Sequence, residues 1–166
     1  SDLLRRIVVV PENFSRSISK EYSEKAFSSR RNLRVLRVER MHDETTLDEI
    51  RAFAPDLGLS LAAPILPASL FSLPRLGTLN LHKGKLPQYR GMPPAFWELW
   101  SDEKHIGCTI HWVDATLDTG AIVAETSIER EAFSTVRGLQ LRLDEVGNDL
   151  IRDAVSGALR GEQIAL

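Results

Sequence analysis

Asn80 and His82 stand two residues apart at the end of an apolar run, Gly77-Thr78-Leu79-Asn80-Leu81-His82. In a β-strand, residues i and i+2 share one face. An amide and an imidazole are then presented side by side at a strand's carboxyl end, where open α/β sheets hold their ligands. Asp118 follows later, in a tight turn closed by Gly120. An amide donor, an imidazole and a carboxylate can together polarise a carbonyl, move a proton and orient the group that moves it. Taken singly, Asn-x-His far more often closes a strand end than catalyses, and an Asp in a turn commonly satisfies backbone donors. The case for chemistry rests on the three together.

The elements that must position them are legible in the hydrophobic pattern. Arg6-Ile7-Val8-Val9-Val10, Leu33 to Val38 and Asp56 to Leu61 read as three strands preceding the Asn80 strand. Ser15 to Ser29 is polar and helix-compatible. Thr46-Leu47-Asp48-Glu49 fits a capping box opening a helix with Leu47, Ile50 and Phe53 on one face. After Pro64 and Pro67, a short helical turn includes Ser69 to Ser72. Pro93 and Pro94 suit the first turn of a helix running through Phe96, Trp97, Leu99 and Trp100. Cys108 to Val113 and Ala121 to Ile128 read as two further strands. Thr135 to Leu159 reads as a long helix carrying Leu139, Leu143, Val146, Leu150 and Ile151. This order predicts an α/β fold with a parallel sheet covered on both faces and right-handed crossovers. The whole chain, 1–166, reads as a single domain.

The chain has 166 residues and a formal net charge of -2. That length can bury a real core, and the charge argues against a dedicated nucleic-acid surface. The single cysteine, Cys108, excludes an internal disulfide and fits a reducing compartment. No apolar run approaches membrane-spanning length and no signal sequence opens the chain, so a cytoplasmic location is the default expectation. Cys108 reads as a packed small residue. His111, opposite in face to Cys108, Ile110 and Trp112, reads as a satisfied structural histidine, and His42, His82 and His111 lack zinc-ligand spacing.

The order Asn80-Leu81-His82, Leu86-Pro87-Gln88-Tyr89-Arg90-Gly91 and Asp118-Thr119-Gly120, with Gly107 to Val113 between, resembles the formyltransferase family. Its members transfer a formyl group from 10-formyltetrahydrofolate to an amine. The likeness runs from about Ile7 to Leu159. Arg90-Gly91-Met92-Pro93-Pro94 is nearer the methionyl-tRNA and sugar formyltransferase branches than the glycinamide ribonucleotide one. The resemblance implies a Rossmann-like, doubly wound, mostly parallel sheet. The family usually places four strands before the Asn-x-His strand, against three here, so its first strand–helix unit and the acceptor-holding loop after it are expected to be missing.

The resemblance also assigns roles. Asn80 and His82 would stabilise a tetrahedral intermediate, with Asp118 assisting proton transfer. Pro64-Ile65-Leu66 and Val113-Asp114-Ala115-Thr116 would hold the folate ring. Lys83, Lys85 and Arg90 read either as a solvated basic loop or as a cationic substrate rim. No metal is called for. The acceptor is a small-molecule amine, phosphorylated or a sugar nucleotide, with methionyl-tRNA disfavoured by charge. A homodimer, a 10-formyltetrahydrofolate hydrolase and a non-catalytic binding domain are the alternatives carried forward.

Overall fold

The computed structural model describes residues 6–11, 33–61 and 63–162. The chain divides into two compact units, Ser1–Ala54 and Pro55–Leu166.

In the first unit, β1 (Arg6–Pro11) and β2 (Leu33–Val38) pair in parallel, with Val8 opposite Val35. The helix-compatible segment 15–29 lies outside the described residues. Helix α1 (Glu44–Phe53) starts earlier than the capping box at Thr46 predicts. Asp43 takes the N-cap and accepts the Thr46 N–H at 2.8 Å, satisfying a donor that the helix itself leaves unpaired. The Thr46 hydroxyl donates to the Arg40 carbonyl, so it is a buried tie and not a cap. Leu47 and Ile50, three apart, form the buried face as read from the sequence.

The second unit is a four-stranded sheet in the order β3 (Gly58–Leu61), β4 (Thr78–His82), β5 (His105–Trp112), β6 (Ile122–Glu129). Two short helices, α2 (Ala68–Phe71) and α3 (Phe96–Trp100), flank β4 in sequence, and α4 (Val136–Arg160) closes the chain. The predicted parallel pairing holds for β1–β2 and for β3–β4. The β4–β5 and β5–β6 pairs run antiparallel, so this sheet is mixed. The β5–β6 link is a turn over 113–121, which antiparallel strands accept without a crossover helix. Pro93 and Pro94 do not enter α3: the Phe96 N–H bonds back to Pro93 O and Ala95 sits at φ +64, so they form the turn before it.

Period-two alternation sorts the sheet. Leu79 of β4 and Ile106, Cys108 and Ile110 of β5 are fully buried in clusters with Leu139, Leu143, Ile151 and Ala154 of α4. A Cβ on Gly147 would meet Leu81 Cδ1 at 3.1 Å and Cys108 Sγ at 3.2 Å, so α4 lies directly on the sheet there. Thr135 caps this helix by accepting from the Gly138 N–H, and Gly161 ends it at φ +73. The opposite face of β4 and β5 carries polar residues in facing pairs: Asn80 opposite His111, and His82 opposite Thr109.

Candidate active site

The site forms where the loop after β4 and the turn after β5 meet over that polar face. His111 Nδ1 lies 2.9 Å from the Trp112 carbonyl, which can only accept, so Nδ1 carries the ring proton. Its Nε2 is then free to accept a hydrogen bond from Asn80 Nδ2, at 3.0 Å. The Asn80 amide is thereby oriented, with one N–H spent on His111 and the other without a partner among the described residues. His82 is 8% exposed, and its Nε2 donates to the Tyr89 carbonyl at 2.7 Å. Its Nδ1 faces Asp118 Oδ2 at 3.5 Å, while His111 Nε2 faces Asp118 Oδ1, also at 3.5 Å. One carboxylate is therefore shared between two imidazoles whose ring centroids are 6.5 Å apart.

The two rings differ in environment. Burial holds the His111 pKa below the ordinary histidine range, opposed by its hydrogen bond to Trp112 O and by the charge of Asp118. His111, 2% exposed, is thus the neutral ring that its bonding pattern requires. With Nε2 of His82 committed to Tyr89, only the doubly protonated His82 ring presents an N–H from Nδ1.

Asp118 is held from outside the turn. The Gly91 N–H donates to its Oδ2 at 2.8 Å, and Arg90 Nε donates to its backbone carbonyl at 3.1 Å. The Leu-Pro-x-x-Arg-Gly segment is therefore a clamp on the Asp turn. Asp118 itself sits at φ +52, a conformation that Asp tolerates better than most residues. Two glycines permit the assembly. A Cβ on Gly84 would stand 2.6 Å from His82 Nε2, and one on Gly120 would stand 1.7 Å from Trp112 O.

Asn80, His82 and Asp118 are thus brought together as the sequence predicts. His111, read as a satisfied structural histidine, is one, with both ring nitrogens bonded, and the sequence reading did not place it beside Asn80 and Asp118. The signal was present: Thr109-x-His111 alternates as Asn80-x-His82 does, and antiparallel pairing places the two polar pairs on one face. Of the expected ring-binding segments, Pro64 and Ile65 are exposed, Ile65 by 81%, and Leu66 is half-buried. Val113 is half-buried, while Asp114, Ala115 and Thr116 are exposed. Asp114 folds onto its own turn, accepting from the Thr116 N–H at 3.1 Å and the Thr119 hydroxyl at 2.7 Å.

The three cations of the expected rim go separate ways. Lys83 pairs with Asp144 of α4, Arg90 clamps the Asp turn, and Lys85 lines a concave region of about 580 Å³ with Gln88, Tyr89 and Glu103. That region includes none of Asn80, His82 or Asp118. Among the described residues, no group of three or more His, Cys, Asp or Glu is arranged to hold a metal ion. No helix among them is long and apolar enough to cross a membrane.

The model of the formyl transferase family matches residues 10–155, and the chain belongs to that family. It is 34% identical over 134 residues to the methionyl-tRNA formyltransferase of Parabacteroides distasonis, covering 81% of this chain and 41% of that protein. It is 33% identical over 141 residues to that of Geobacter sulfurreducens, covering 84% and 44%. The chain thus spans less than half the length of these curated relatives. Among solved structures, the formyltransferase PseJ from Anoxybacillus kamchatkensis, in complex with a formamido sugar nucleotide and tetrahydrofolate, shares the fold. Its TM-score is 0.69 at 21% identity, over 98% of this chain and 80% of that one. The phosphoribosylglycinamide formyltransferase of Streptococcus pneumoniae does likewise, with a TM-score of 0.64 at 22% identity, over 95% and 99%.

Proposed function

We propose that the chain transfers a formyl group from 10-formyltetrahydrofolate to an amine. The observation that carries this reading is the oriented Asn80 amide beside His82, with Asp118 against both imidazoles. In this reading the amine nitrogen attacks the formyl carbon and the carbonyl oxygen gains charge. The free N–H of Asn80 and the Nδ1–H of protonated His82 donate to that oxygen. At 3.5 Å the His82–Asp118 contact is too long for a committed hydrogen bond, so Nδ1–H stays available to the oxyanion. Asp118, through an ordered water, takes the proton the amine must lose. That proton goes to the folate nitrogen as its bond to the formyl carbon breaks. The neutral His111 keeps the Asn80 donor aimed.

The donor's flat ring needs apolar surface beside the site. Exposed Ile65 and Leu117, on or next to the segments Pro64–Leu66 and Val113–Thr116, offer it. The acceptors named for the relatives are methionyl-tRNA, a sugar nucleotide and phosphoribosylglycinamide. The sequence relatives return methionyl-tRNA to the set worth testing, despite the chain's near-neutral charge. A cytoplasmic setting and a homodimer are part of the same reading.

The test supplies donor labelled at the formyl carbon together with each of these amines. Label should appear in one of them, and Asn80→Ala should slow transfer by roughly 10²–10³ through loss of one oxyanion donor. Unchanged transfer by that variant would overturn the assignment. Label released as formate without any amine would make the chain a hydrolase instead.

A further inference from the structure

Helix α3 has two exposed tryptophans, half-buried Phe96 and Leu99, and one buried residue. Trp97 and Trp100 are 46% and 76% exposed, whereas the charged residue between them, Glu98, is 1% exposed. A carboxyl group so deeply buried is costly unless it is bonded, and it usually has a task. Glu98 Oε1 accepts two backbone N–H groups, from Lys85 at 3.1 Å and from Gly107 at 2.8 Å. Its Oε2 is buried with no partner among the described residues. Burial raises the Glu98 pKa, and the two backbone bonds oppose that rise.

These two amides belong to different elements. Gly107 lies in β5, and Lys85 lies in the loop three residues after His82. The loop rests directly on the strand, since a Cβ on Gly107 would meet the Lys85 backbone at 2.8 Å. From Lys85 the bonding continues toward His82. The Tyr89 N–H donates to Lys85 O at 2.9 Å, and the Tyr89 carbonyl accepts from His82 Nε2 at 2.7 Å. At its other end, the Tyr89 hydroxyl donates to Glu103 Oε1 at 2.6 Å. Glu98, Gly84 and Tyr89 also line one small cavity of about 10 Å³.

We propose that Glu98 is a positioning residue for His82, bracing the Lys85–Tyr89 turn against β5 so that the Tyr89 carbonyl fixes the imidazole with its proton on Nε2. The inference rests on the proposed catalytic use of His82 for its functional meaning, but not for its geometry. Glu98→Gln keeps an acceptor oxygen for both amides and preserves the brace. Glu98→Ala removes it. Glu98→Asp withdraws the carboxyl by one C–C bond, about 1.5 Å, and cannot reach both amides.

The experiment is ¹⁵N NMR of the imidazoles in the full chain, with amide hydrogen exchange on the wild type. The wild type and Glu98→Gln should show His82 protonated on Nε2 in its neutral form. Glu98→Asp and Glu98→Ala should show a mixture of tautomers. In formyl transfer, kcat should fall roughly 10- to 100-fold in these two, as for a misplacement near 1 Å. The KM for the donor should change less, and Glu98→Gln should restore kcat to within about threefold. A folded Glu98→Ala or Glu98→Asp with the wild-type His82 spectrum would overturn the proposal. So would unprotected Lys85 and Gly107 amides in the wild type, a result that needs no variant to fold. If the His82 spectra behave as stated but no amine is formylated, the brace stands and the formyl-transfer reading falls.

Discussion

Gly120→Ala gives the site's geometry a stringent test. The new Cβ would lie 1.7 Å from Trp112 O and 2.7 Å from its carbonyl carbon, where contacts below 3.0 Å essentially never occur. The Asp turn and the end of β5 must therefore part by about 1.3 Å. Neither side is a flexible side chain: both are backbone, joined by the Trp112 N–H to Ala121 O bond at 3.0 Å. Such overpacking costs about 1–3 kcal/mol. For a chain of 166 residues that lowers Tm by roughly 2–12 °C. The functional effect should be the larger. Trp112 O is the acceptor that fixes the His111 proton on Nδ1, and Asp118 is two residues from Gly120. A shift of about 1 Å at reacting groups costs on the order of 10² in rate. The assay pairs a thermal melt with formyl transfer well below the melting transition. Wild-type melting and wild-type rate together would refute the claim that the Gly120–Trp112 contact sets the position of Asp118.

Further outcomes follow from single features. The depressed His111 pKa means that the unfolded chain binds more protons than the folded one below pH ~6.5. Its contribution to stability is complete above that pH and lost as pH falls toward the folded value, so the gap between wild type and His111→Asn in urea unfolding should narrow from pH 7.5 to pH ~5.5; a gap independent of pH contradicts this. Cys108 is fully buried and its thiol is pushed up to about 12 by burial, so iodoacetamide at pH ~8 should label it only after denaturation. Leu143→Ala opens a hole where α4 meets Cys108 and Ile106, and should cost about 2–5 kcal/mol by urea titration; a cost under ~1 kcal/mol would place the core elsewhere.

What the sequence made legible was periodic. The extent of α4, read as Thr135 to Leu159, follows from the spacing of its apolar residues, and the shared face of Asn80 and His82 follows from a period of two. What it hid was relational. The β5 register decides that His111 meets Asn80, and no local pattern states that β5 runs antiparallel to β4. The Leu86–Gly91 loop reads as a basic rim because Lys83, Lys85 and Arg90 are close in sequence. Its work is done largely by backbone groups, Tyr89 O on His82 and Gly91 N–H on Asp118, which residue types do not advertise. Lys83 is drawn off by Asp144, sixty-one positions along the chain. Glu98 looks like the solvated member of an aromatic helix until the burial is seen. Asp43 displaces Thr46 as the α1 cap because both are good caps, and only the chain path selects between them.

The central claim is that this face of β4 and β5 receives a formylated folate. Binding of the donor is its most direct test, because it does not depend on knowing the acceptor. Calorimetric titration of the full chain with 5-formyltetrahydrofolate, a stable stand-in, should give saturable one-to-one binding that weakens in Asp118→Ala. The fluorescence of Trp97, Trp100 and Trp112 gives a second readout. No binding by a chain with a cooperative melt, or binding that Asp118→Ala leaves untouched, would contradict the account.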